Sequence, residues 1–266
     1  MTGPKQHMKI QASVENKYLA KIYSSLNKQT KAATDYLKQY GAAALRADLD
    51  KVIPYEPLLS VISALYQDGG LRLAKITFEA LPDPEAEEKA RGQMGMSASW
   101  LQKIKGYFRT FLLNKAVLPI TDTTKKHIRG VLDQANEEGW GVDKTVREIG
   151  DKEISRKRAE VITRTESVRA TNLGAMLGAA ARGLKLVKRW IAVNDHKTRP
   201  DHKYLGGQEV DFEVQFTTPE GFKLMYPGDP NAPAKEVIQC RCVLGFIPQR
   251  DKRGRLIRAN YEGLIA

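Results

Sequence analysis

The sequence predicts an α+β protein: a helical N-terminal region, then one long helix leading into a small C-terminal domain with a short antiparallel sheet and long loops. Two changes along the chain carry this expectation. Up to about residue 182, apolar residues recur at spacings of three and four. From residue 184 onward the spacing falls to two, and Gly, Pro and Asp punctuate the chain.

The elements follow in order. Val14, Tyr18, Leu19, Ile22 and Leu26, with lysines between them, predict a helix over 12–40 that ends at Gly41. Pro54 and Pro57 open a second helix carrying Leu58, Val61, Ile62, Leu65 and Tyr66, which Gly69 and Gly70 punctuate before a helical stretch over 71–81. The polar segment 82–97 reads as loop. Trp100, Leu101, Ile104, Tyr107, Phe108, Phe111 and Leu112 mark a helix over 98–113, and Pro119 breaks the chain after it. Thr121 to Thr124 are candidate caps for a helix over 123–138, and Asp143 for a short helix containing Val146 and Ile149. The long helix is expected from Ser155 to Arg182, stopped by Gly183.

Beyond it, Leu186, Val187, Trp190, Ile191 and Val193 predict a strand ending at the turn pair Asn194-Asp195. Val210, Phe212, Val214 and Phe216 predict a half-buried strand or hairpin arm. Residues 217–235 should be loop, residues 242–247 a final strand, and residues 250–258 a peripheral basic segment. The expected division is a helical region over 1–115, a domain over 116–248 and a basic tail over 249–266.

The chain has 266 residues and a net charge of +12. Its apolar content of 42% is that of a globular protein rather than a disordered one. No run of about 18 apolar residues predicts a membrane span, and the first residues carry no secretory signature. The charge is uneven: +7 falls on residues 144–189 and +3 on 250–266, while 190–249 carries −2. That pattern fits contact with phosphates without base reading. The candidates are Arg156, Lys157, Arg158, Lys185, Lys188, Arg189, Arg253 and Arg255. Zinc-finger, homeodomain and RNA-recognition signatures are missing.

The chemistry-bearing residues gather between Arg164 and Cys242. Arg164 and Glu166 lie inside the long helix among apolar neighbours, with Arg169 three residues on. A charge on an apolar face needs a partner, so a structural ion pair is the main expectation and part of an active site the other. NDHKTRPDH places Asp195, His196, Arg199, Asp201 and His202 within nine residues. With Cys240 and Cys242, the two cysteines of the chain, His202 forms a metal-competent set. On a regular strand the two thiols would face opposite ways, so both could bind an ion only after a kink. Otherwise Asp195 and Arg199 shape a turn, His202 hydrogen-bonds locally, and the cysteines pack as small apolar residues. No cofactor is expected; zinc on His202, Cys240 and Cys242 is the alternative. A hydrolase would use His202 as general base with Asp201, Asp195 or Glu166. Nucleophile elbow, Walker loop and H-E-x-x-H are all lacking. Gly206, Gly207 and Gly228 mark tight turns, and Trp190 is expected in the core.

Taken as a set, Arg164-Thr165-Glu166, Trp190, Asp195, Thr198-Arg199, His202, Gly207, the Tyr226–Pro230 run with Asp229, and Cys240-Arg241-Cys242 resemble the phage Mu F-like minor head proteins. The resemblance covers about residues 120–248. One departure is that many relatives carry further cysteines at the stretch corresponding to Thr198–His202, where this chain has none. The resemblance implies a virion protein near the portal vertex inside the head, made in the host cytoplasm and acting in head assembly and in genome packaging and ejection. Portal protein, major capsid or scaffolding protein, and double-stranded DNA without sequence specificity would be its partners, and a membrane would not. It implies no catalytic residues and hence no enzyme, with a metal-dependent nuclease or other hydrolase centred on His202 as the alternative. Some toxins use such a domain for delivery; with only a basic tail following it here, that use is not expected.

Overall fold

The structure is a computed structural model that describes residues 3–84, 96–261 and 263. Of the loop expected over 82–97, residues 85–95 lie outside the described residues. The chain divides into two compact units, each assembled from separated segments.

The first unit comprises Lys17–Ala64 and Thr110–Thr163. Helix α1 is longer than its periodicity suggests, Pro4–Val52. Gly41, at φ 83 and ψ 172, ends the first helical run as expected, and a second run begins directly after this kink. Glycine tolerates that geometry, and the alanine- and leucine-rich residues that follow bury Leu45 and Leu49. Helix α2 spans Glu56–Leu65. A π turn, Leu113–Val117, leads directly into α5, Leu118–Glu137. Pro119 therefore lies in the first turn of a helix instead of breaking one, where its missing N–H costs little. Thr123 and Thr124 are interior, their hydroxyls donating to Pro119 O and Ile120 O rather than capping. Helix α6, Val142–Ile149, is capped by Gly141, with Asp143 in its first turn. Leu37, Leu45, Leu49, Ile53, Ile128 and Leu132 form the core of this unit. Gln29 crosses it, donating to Pro54 O (2.9 Å) and accepting from Thr124 Oγ1 (3.0 Å).

Helix α7 spans Lys152–Ala181. Asp151 Oδ1 caps it by accepting from Glu153 N and Ile154 N at 2.7 and 3.1 Å. Gly183, at φ 70, closes its C-terminal end as expected.

The second unit comprises Met1–Asn16, Leu65–Arg109 and Arg164–Ala266. Gly69 and Gly70 do not interrupt the helical chain. They complete a π turn, Tyr66–Gly70, that runs into α3, Leu71–Ala80. Helix α4 spans Ala98–Leu112. The second half of α7 lies so close to this segment that a Cβ on Gly174 would sit 2.0 Å from Gly70 O, and one on Gly178 2.0 Å from Ala74 O. On Gly70 itself, a Cβ would meet the Phe108 ring at 2.8 Å.

The sheet holds β1 (Leu186–Ile191) between β2 (Glu209–Asp211) and β5 (Val243–Pro248), all antiparallel. A short helix α8, Pro200–Leu205, lies between β1 and β2 in sequence. The strand expected through residue 216 instead turns after β2, Val214 N donating to Asp211 O. Its last part, β3 (Phe216–Thr217), pairs with β4 (Lys223–Leu224) in a second sheet. Phe212 and Phe216 are buried, while Val214 is exposed. Helix α9, Ala234–Val237, precedes the cysteines.

The segment after β5 is not peripheral. Arg250 bridges Leu256, Arg258 bridges Leu184, and buried Tyr261 packs on Phe212 with ring centroids 4.5 Å apart. No described helix is long and apolar enough to cross a membrane.

Candidate metal centre and its support

His202 is presented by α8, which Pro200 starts and Gly206-Gly207 terminates, Gly207 at φ 86. Cys240 and Cys242 precede β5 rather than lying in it, so the alternation of a regular strand does not separate them. Gln239 takes a left-handed φ of 59, and Cys242 N donates back to Cys240 Sγ at 3.4 Å. This bend turns both thiols to one side. His202 Nδ1 lies 3.5 Å from Cys240 Sγ and 3.6 Å from Cys242 Sγ. All three side chains are buried, and their donor atoms fall within 4.8 Å of one another. Among the described residues this is the cluster able to hold an ion.

On the far side of the imidazole, His202 Nε2 approaches Glu236 Oε2 at 3.2 Å, in a pair whose side chains are 2% and 4% exposed. Alignment is poor, and neither atom completes a hydrogen bond. Trp190 packs edge-on against the His202 ring, centroids 5.2 Å apart. The hydrogen bond with Cys240 and the nearby imidazole pull the Cys242 thiol below the ordinary range, while Cys240 is pushed up by the same bond and by burial.

Asp195 belongs to the rim. Its carboxylate takes both arms of the Arg241 guanidinium at 2.5 and 2.6 Å and holds Thr198 Oγ1 at 3.1 Å. The Arg241 fork keeps that carboxyl well below the usual range. Asn194, at φ 58, supplies the left-handed turn. Arg199 donates to Ile238 O, tying the α8 entrance to the stretch before the cysteines. A cavity of about 10 Å³, room for one water-sized particle, lies among His202, Cys240, Cys242, Lys197, Thr198 and Arg199. Asp195, Asp201 and Glu166 do not line it. The three carboxylates that the sequence offers to a His202-centred hydrolase are therefore not gathered on that cavity.

Arg164 and Glu166 are placed elsewhere in the same unit. Arg164 reaches Glu15 at 2.7 Å. Glu166 is buried between Tyr66 Oη (2.9 Å) and Arg169 Nη1 (2.7 Å). Burial raises its carboxyl, against the opposing pull of Arg169. Arg169 Nε donates to Gly228 O at 2.9 Å, fastening the Tyr226–Pro230 run to α7. A Cβ on Gly228, at φ 90, would meet the Arg169 backbone at 3.0 Å. Asp229 closes that turn, accepting from Met225 N and Asn231 N. Glu166 and Arg169 thus form a buried ion pair, which the Gly228 contact links to the Tyr226–Pro230 run.

Three contributors carry little sequence signal. Asn172 on α7 donates to Cys242 O and accepts from Leu244 N, both at 3.0 Å, pairing with β5 as a neighbouring strand would. Thr165 Oγ1 accepts from Gln239 N at 3.1 Å. Glu236 lies just past the segment that reads as loop, in a short helix with no sequence signal of its own.

The cationic candidates divide. Arg156, Lys157, Lys185, Arg189, Arg253 and Arg255 are exposed, though Arg156, Lys157, Arg189 and Arg255 already pair with Glu160, Glu153, Glu209 and Asp251. Arg158 is half-buried and donates to Thr124 Oγ1 at 3.1 Å. Lys188 is withdrawn altogether: it is fully buried, and its Nζ donates to Met225 O at 2.8 Å, so it cannot face a phosphate. It lies on the inward side of β1 with Leu186 and Trp190.

Burial lowers the Lys188 ammonium to about 7, Asp229 pulling the other way. An unfolded lysine keeps its proton up to about 10.4. Between those values the unfolded state binds more protons, so stability rises with pH across that window and is lost toward pH 7. Lys188→Met is expected to stabilise the protein by about 1–2 kcal/mol at pH 7, an advantage that shrinks toward pH 10. Urea unfolding of both proteins at pH 7, 8.5 and 10 reads this; a pH-independent difference refutes it.

Residues 126–245 match the family described as Phage Mu protein F like protein. Minor head protein GP7 of Bacillus phage SPP1 is 32% identical over 102 residues, 36% of this chain and 31% of that protein. NAD(+)--arginine ADP-ribosyltransferase EFV of Enterococcus faecalis (strain ATCC 700802 / V583) is 30% identical over 134 residues, 49% of this chain and 27% of that protein. The chain thus spans less than a third of the length of either relative. No solved structure matches it.

Proposed function

We propose, from the match of residues 126–245 to the Phage Mu protein F like family, that the chain is a member of that family and a minor head protein of a tailed phage. The similarity to the minor head protein of Bacillus phage SPP1 carries this reading. In it the chain is a virion component near the portal, acting in head assembly and in genome packaging and ejection. The structural use of the motif residues supports it: Glu166, Arg169, Asp195, Asp229 and Arg241 are each engaged within the protein. Contact with DNA is sequence-blind and made by exposed cations, Lys185 and Arg253 among them. The hydrolase alternative gains nothing from a cavity with room for one water.

Heads purified from a phage whose copy of this gene is tagged test the reading. The tagged chain is expected to co-sediment with heads at low copy number, and deleting the gene should reduce infectious particles. A chain absent from particles, with unchanged titre on deletion, overturns it. DNA contact is read separately. Binding of the chain to a random duplex should weaken steeply with salt, and Lys185→Glu with Arg253→Glu should lower the log–log slope by about 1 per residue. A slope unmoved by both substitutions places the DNA contact elsewhere.

A further inference from the structure

We propose that His202, Cys240 and Cys242 bind one zinc ion as a structural centre, with Glu236 orienting the imidazole from behind. The geometry is that of a tetrahedral face. Zinc bonds of about 2.3 Å to sulfur and about 2.0–2.1 Å to nitrogen place tetrahedral ligand atoms about 3.6 Å apart. The two nitrogen–sulfur separations are 3.5 and 3.6 Å. An ordinary hydrogen-bonded thiol and imidazole need no such equality. Two thiolates and one imidazole select zinc over the harder cations, which prefer oxygen.

The surroundings point the same way. A metal on Nδ1 requires the imidazole proton on Nε2, and Glu236 Oε2 stands 3.2 Å from that atom. Buried histidine ligands carry such a carboxylate behind them, where it fixes the tautomer and the ring orientation. As the side chains stand, Nε2 and Oε2 are both buried without a completed hydrogen bond. A protonated Nε2 held by a metal-bound ring supplies the donor that the carboxylate oxygen lacks. The remaining tetrahedral position falls to the small cavity beside Thr198 and Arg199, which admits one water. The three protein ligands come from two separate parts of the chain, so the ion serves the fold by joining them. It clamps α8 to the bend before β5, whose Cys242 carbonyl is already held to α7 by Asn172.

The test uses the full chain, purified without chelator, and the metal alone. Elemental mass spectrometry is expected to find about one zinc per chain, released when the thiols are modified. Reconstitution with cobalt(II) should give tetrahedral ligand-field bands together with a thiolate-to-metal charge-transfer band. His202→Ala and Cys242→Ser should each lose the metal, and Glu236→Gln should retain it with weaker affinity in a chelator competition. Should the ligand variants fail to fold, the cobalt spectrum of the unaltered chain decides by itself. No stoichiometric metal after exposure to excess zinc, a cobalt spectrum without the charge-transfer band, or zinc retained in Cys240→Ser/Cys242→Ser overturns the proposal.

Discussion

Replacing Gly174 by alanine is expected to destabilise the protein by about 3 kcal/mol, and by valine more, enough to prevent folding at 37 °C. The added Cβ would start 2.0 Å from Gly70 O, and that oxygen is backbone inside a π turn, not the end of a side chain that can swing away. Gly178 meets Ala74 O at the same distance one turn later on the same face, so α7 would have to move outward along both turns to admit a Cβ. In thermal unfolding, about 3 kcal/mol corresponds to a fall of about 6–12 °C in Tm for a protein of this size. Gly130→Ala is the control. It lies mid-helix in α5 with nothing within 4 Å of an added Cβ, and should be neutral or stabilising by about 1 kcal/mol. Equal behaviour of Gly174→Ala and Gly130→Ala would refute the close approach of α7 to α3.

Arg169→Ala is expected to cost about 3–5 kcal/mol, because it leaves Glu166 buried with an uncompensated charge and strips Gly228 O of its donor. The pH dependence gives the signature. A carboxyl whose folded pKa lies above its unfolded value takes up a proton first in the folded state, so stability is gained as pH falls between the two values. Burial already raises Glu166, and loss of the guanidinium raises it further. The variant's deficit should therefore be larger at pH 7 than at pH 5. Glu166→Gln combined with Arg169→Met should recover most of the loss, since a buried ion pair replaced as a whole is close to neutral. A deficit that is flat with pH, or a double variant no better than Arg169→Ala, would show that the guanidinium acts by packing alone.

Much of the fold is legible because helices bury one face at a period of 3.6. Ile22, Leu26, Leu58, Ile62, Ile104 and Phe108 all fall where that period puts them. The misreadings cluster at glycine and proline, whose local preference was overruled by packing. Gly69 and Gly70 read as punctuation, yet their small size is what lets α7 approach. Pro119 reads as a break, yet a helix start accommodates it. Lys188 is legible by the other period: counting by two from Leu186 to Trp190 places it inward, which its charge obscures. The candidate centre was half legible. Residue types named His202, Cys240 and Cys242, but the bend that unites the thiols depends on a left-handed Gln239, a residue with no intrinsic preference for it. Glu236 and Asn172 gave no pattern at all, since their partners lie 34 and 70 positions away in the chain.

The unit that holds the cluster is assembled from three stretches of chain, Met1–Asn16, Leu65–Arg109 and Arg164–Ala266. On a ribosome this imposes a delay. Glu15 emerges early, but its partner Arg164 follows 149 residues later. At about 5–20 residues per second, that is about 7–30 s of waiting, and the sheet takes several seconds more. During synthesis the start of α1 is an amphipathic segment with no place yet to dock, open to chaperones and to other nascent chains of the same polysome. Folding of this unit is thus a late event, timed by translation of its last third rather than by the speed at which its helices form.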